Sequence, residues 1–137
     1  MIPRRTTTEL EVPDRLFQIT HVSRTHTQVW LQSDASENHK HRLEVLFQDV
    51  RYLCMPFVLR GLWLAKAEPE HAARLLDQHE LDADPAWDVY RVSRTQDWFV
   101  VSASPLWAES KLGYRDEPVF WSQTGREDVV VSLGTVE

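Results

Sequence analysis

The chain has 137 residues, 42% of them hydrophobic and 26% charged, with a formal net charge of −6. That size and balance suit one folded domain over residues 1–137 and not a disordered chain, while a single cysteine excludes an intrachain disulfide and a cysteine-only zinc site. No apolar run reaches the roughly 18 residues of a membrane span, no apolar stretch follows Met1–Arg5 as a secretory signal would require, and the four glycines are too dispersed for a phosphate-cradling loop; a soluble, cytoplasmic protein is the expectation.

Residues 1–13 are polar and threonine-rich, and are expected to form a flexible arm or an edge strand. From Leu16 the pattern alternates. Phe17 and Ile19 share a face, Ser23–His26 supplies a turn, and Val29 and Leu31 resume opposite Trp30, which predicts a hairpin. Leu43, Val45 and Phe47 mark the next strand, opposite Glu44, Leu46 and Gln48. Phe57–Ala65 is apolar on both faces, as in a buried strand. Gly61 inside it signals a bulge or a close backbone approach.

Pro69 suits the first position of a helix, where its missing N–H costs nothing. Ala72, Leu75, Leu76 and His79 then form one stripe, and Glu70 and Arg74 are spaced for an ion pair. Val89–Val92 and Trp98–Ala103 predict a second hairpin. Ser104–Pro105 resembles a helix start, so Leu106–Leu112 is expected to be a short helix closed by Gly113. Val119–Ser122 and Asp128–Leu133 are expected to pair around Gly125. The resulting fold class is α+β: a mainly antiparallel, curved sheet of six to eight strands, packed by one main and one short helix.

The charge is unevenly placed. Residues 68–88 hold Glu68, Glu70, Asp77, Glu80, Asp82, Asp84 and Asp88 against Arg74 alone, which equals the net charge of the whole chain. Such a segment repels phosphate backbones and disfavours nucleic acid. It would attract a basic protein and speed the encounter. Twelve arginines against three lysines hint at a GC-rich coding sequence and so at a bacterial source.

No motif compels a chemistry. His39 and His41 would share one side of an extended segment, near Asp34 and Glu37, but two imidazoles in a polar loop do not make a metal site. His79-Glu80 begins a metalloprotease pattern that Ala83 breaks. Asp82, Asp84 and Asp88 carry the oxygens that a hard cation wants, without the glycine and glutamate of an EF-hand loop. Cys54 lies among apolar neighbours, where a thiol is inert. No cofactor or metal is therefore expected.

Six tryptophans are the more unusual feature. Trp63 and Trp98 fall in doubly covered strands and are expected in the core. Trp30 stands on an otherwise polar face between Gln28 and Gln32, where packing against another part of the fold is the expectation and a binding surface the alternative. Trp87 stands among carboxylates, where an indole suits an arginine or lysine of a partner.

The preferred reading is a non-catalytic binding module that engages a basic partner through Glu80, Asp82, Asp84, Trp87 and Asp88. A neutralising protein of the antitoxin or immunity kind would have this physics. The alternative is an enzyme or small-ligand binder with a pocket in the curved sheet, using polar groups such as His21, Tyr90 or Arg91. A homodimer through an exposed edge strand, Val129–Leu133, is the third reading.

Overall fold

The computed structural model describes residues 3–25, 27–113, 116–117 and 129–137. Among them are ten strands and one helix. In chain order these are β1 (Arg4–Thr7), β2 (Glu9–Val22), β3 (Val29–Ser33), β4 (Arg42–Phe47), β5 (Tyr52–Cys54), β6 (Val58–Lys66), α1 (Pro69–Gln78), β7 (Asp88–Arg91), β8 (Phe99–Ser102), β9 (Leu106–Ser110) and β10 (Val130–Val136). They form one mixed, mostly antiparallel sheet in the order β1-β10-β9-β4-β3-β2-β6-β7-β8-β5. No helix among the described residues is long and apolar enough to cross a membrane.

Local pattern accounts for much of this. The β2–β3 hairpin forms with Ile19 opposite Leu31 and Val22 opposite Val29. Alternation then carries Phe17, Leu31, Val45, Phe47, Leu59 and Leu64 into one core, which Val100, Tyr90 and Val136 complete. At Gly61 the backbone lies at φ +86°, and a Cβ there would sit 2.7 Å from the Pro13 carbonyl oxygen. Both the left-handed conformation and the close approach demand glycine. Gly61→Ala is expected to cost about 1–3 kcal/mol, read as a lower midpoint in urea denaturation. An unchanged midpoint would show that β2 and β6 do not approach this closely.

Three expectations are corrected. Leu106–Ser110 is strand β9, not a helix, because it lies between β4 and β10 and both neighbours complete its ladder. A proline just before a strand is as tolerable as one opening a helix, so the local signal was degenerate. The strand count rises to ten, partly because the first 13 residues supply edge strand β1 and the start of β2. β10 pairs with β9 along one side and, from Leu133 to Val136, with β1 in parallel along the other, with Arg4 opposite Leu133 and Thr7 opposite Val136; among the described residues no strand pairs with the β1 side of Val130–Ser132. The expected hairpin partner Val119–Ser122, its turn at Gly125, and His26 of the first turn lie outside the described residues.

The third correction concerns Trp63, expected in the core. Trp63 lies outside the main core: its Nε1 donates to Glu9 at 2.9 Å, and the Arg91 and Arg94 guanidinium groups stack on its ring. Trp30 is only 4% exposed, and Leu46 lies opposite it on β4. β3 and β4 are buried on both faces, so the side carrying Trp30 is covered as well as the core side. Strand alternation specifies which residues share a face, not which face another layer covers.

Candidate functional site

Helix α1 packs on the outer face of β7, β8 and β5. Leu75 is its one fully buried residue, set against Ala67, Val89, Phe99 and Val101 in a small second core. At its C-terminal end the backbone N–H of His79 donates to the Leu75 and Leu76 carbonyls. Glu80 then takes a left-handed conformation at φ 57°, the usual way to terminate a helix. His79 is half-buried and hydrogen-bonded through Nδ1 to the Tyr52 hydroxyl at 2.8 Å. That bond ties the helix end to β5.

Beyond this end the chain returns along residues 81–87 and leaves a groove of about 670 Å³ between α1, this return and the sheet. Its apolar surface comes from Tyr52, Ala72, Leu76, Leu81, Val89 and Val101, and its carboxylates are Asp82, Asp84 and Asp88. Asp82 and Asp84 are exposed and form no ion pair among the described residues. Asp84 Oδ1 accepts from the Ala86 N–H at 2.9 Å, which shapes the turn. Asp88 faces Lys66 at 3.4 Å.

Four of the five residues expected from the sequence therefore come together here: Asp82, Asp84, Trp87 and Asp88 all line the groove. Glu80 does not, because its left-handed turn belongs to the helix stop. Trp87 is held firmly. Its Nε1 donates to Asp49 at 2.6 Å, and the Arg51 guanidinium lies 3.9 Å over its ring. Arg51 in turn pairs with Asp49 at 3.1 Å. One face of the indole thus already carries a cation from this chain. Arg74, the single basic residue of segment 68–88, reaches Asp97 at 3.3 Å and not Glu70, so it does not neutralise the groove.

Arg51, Tyr52 and Val101 were not legible as site residues. They are far from the acidic segment in sequence, and only the pairing of β5 with β8 brings them to the groove. The other candidates disperse. His39 faces Asp14 and His41 faces Glu109, each at 3.6 Å, and no cluster among the described residues could hold a metal ion. His21 stands edge-on to Trp30 at 6.0 Å. Tyr90 is buried and donates to Ser104 Oγ at 3.2 Å. Burial pushes the Tyr90 phenol above its ordinary pKa, against the opposing effect of that bond. None of His21, Tyr90 and Arg91 lines the groove. Compared with protein-family models, curated proteins and solved structures, the chain finds no match.

Proposed function

We propose that the protein is a non-catalytic binding module whose groove beside α1 receives a basic, partly apolar segment of a partner protein. The observation that carries this reading is the pairing of an apolar floor with Asp82 and Asp84, two exposed carboxylates that no cation of the chain engages among the described residues. An apolar side chain would fill the space over Leu76, Leu81 and Val89. A lysine or arginine beside it would meet the two aspartates. Trp87, already braced by Asp49 and Arg51, forms a rigid wall and loses little freedom on binding. Charge of this kind contributes mainly to encounter rate and selectivity, with the apolar contact supplying the slow dissociation.

A synthetic amphipathic peptide of lysine and leucine is the direct probe, with a glutamate–leucine peptide as control. Binding followed by Trp fluorescence is expected for the first only, and is expected to weaken as salt rises. The triple variant Asp82→Asn, Asp84→Asn, Asp88→Asn should lower affinity by about tenfold, mostly through the association rate. Equal binding of both peptides, or an unchanged association rate in the triple variant, would discard the reading.

A further inference from the structure

A second groove, of about 780 Å³, shares no lining residue with the first. It exists because β6 has only one full neighbour. β2 pairs with β6 from Val58 to Ala65, but β7 joins the other side only at Ala65 and Lys66, with one further bond from the Trp63 N–H to the Val92 carbonyl at 3.4 Å. Among the described residues, no strand pairs with that side of Val58–Leu62. Ser93, Arg94, Thr95 and Gln96 of the following turn wall this opening, and the core residues Leu62 and Val92 line it. Trp63 and Trp98 add aromatic walls. Phe57, 73% exposed, and Val58 leave apolar surface beside it.

The charges of this groove are unequal in their satisfaction. Arg94 Nε donates to Glu11 at 2.7 Å, and its Nη2 lies 3.7 Å from Glu9. The Arg94 bond holds the Glu11 carboxyl below the ordinary carboxylate range, against a small opposing effect of burial. These three groups answer one another. Arg60 is exposed in the same groove and has no ion-pair partner among the described residues. An unpaired strand edge next to one uncompensated cation is a template for an added strand that carries a negative charge.

We propose that an extended acidic and apolar segment of a partner protein adds to the sheet along Val58–Leu62, with a carboxylate beside Arg60. Main-chain hydrogen bonds to the β6 edge supply the affinity. Alternate side chains of the segment set the selectivity, a carboxylate in the row on the outer face meeting Arg60 and apolar side chains packing on Trp63 and Trp98. This surface would prefer a partner of opposite charge to the one proposed for the groove beside α1, and neither assignment depends on the other.

The test uses the full chain and a short capped peptide of alternating valine and aspartate. Two controls are the same peptide with every second amide N-methylated and a valine–lysine peptide. Amide chemical shifts should move at Val58–Leu62 and saturate with the aspartate peptide. N-methylation should abolish the effect, because it removes the donors that an added strand needs. Arg60→Glu, an exposed change that the fold should tolerate, should weaken the aspartate peptide by about tenfold and favour the lysine peptide. The proposal falls if binding does not saturate, if N-methylation or Arg60→Glu leaves it unchanged, or if the shifts map to α1 and residues 81–88 instead.

Discussion

Arg42→Met is expected to lower the unfolding free energy by about 3–5 kcal/mol. Arg42 is fully buried on β4, on the side away from the main core. Its Nη2 lies 2.9 Å from Glu44 Oε2, and both side chains are shut off from solvent. The rest of the guanidinium serves the backbone: Nη1 donates to the carbonyls of Gly113 and Asp116 at 2.9 and 3.0 Å, and Nη2 to that of Glu117 at 2.8 Å. Methionine fills much of the space but supplies none of these donors. It also takes away the cation that the buried Glu44 carboxylate faces. The desolvation cost of both ions is already met in the folded protein, so removing one partner forfeits the attraction and keeps the cost. Urea denaturation measures the loss, and Arg42→Met combined with Glu44→Met should recover a substantial part of it. A single variant as stable as the parent would mean that the guanidinium is not buried where the structure places it.

Leu75→Ala is expected to cost about 2–5 kcal/mol and to reach the groove as well as the fold. Leu75 is the only fully buried side chain of α1. It holds the helix on Phe99, Val89 and Val101, whose outer sides form the second core. Beyond Leu75, the helix is held by the half-buried Ala72 and Leu76 and by the His79–Tyr52 hydrogen bond; Glu68 makes no side-chain capping bond at its start, and its last turn has no basic residue. Its exposed residues add almost nothing, since the ion pair from Arg74 to Asp97 is a surface one. With Leu75 truncated, hydrogen exchange should rise first in residues 69–79 and leave the β2–β6 ladder protected. Binding of the lysine–leucine peptide should weaken in the same variant, because Ala72 and Leu76 form one wall of the groove. Uniform exchange across the whole chain would show instead that α1 unfolds only with the sheet.

Each structural success from the sequence came from a signal that a few neighbouring residues carry in full. Pro69 begins α1 and Gly61 marks the close approach of Pro13, as their backbone preferences require. The return at residues 81–88 brings Asp82, Asp84, Trp87 and Asp88 to one groove, so the candidate surface was partly legible as a run of charge. Its apolar floor was not, because Tyr52, Val89 and Val101 join it through pairing across β5, β8 and β7. Nor could charge counting anticipate that Arg51 would cover one face of Trp87, or that Arg74 would leave its own helix for Asp97. Leu106–Ser110 shows the same limit in the backbone. Its cap-like Ser104–Pro105 start fits helix or strand, and only the neighbours β4 and β10 decide between them.

What the amino-acid order alone determined is therefore the local grammar: where the chain alternates, where it coils into α1, and where its negative charge accumulates. The tertiary structure decided which faces are covered, which edges stay open and which charges meet. Those outcomes depend on contacts between residues far apart in the chain, as when Arg4–Thr7 lines up beside Leu133–Val136. Periodicity says that a face is apolar or polar, but only the order of strands in the sheet says what comes to lie against it.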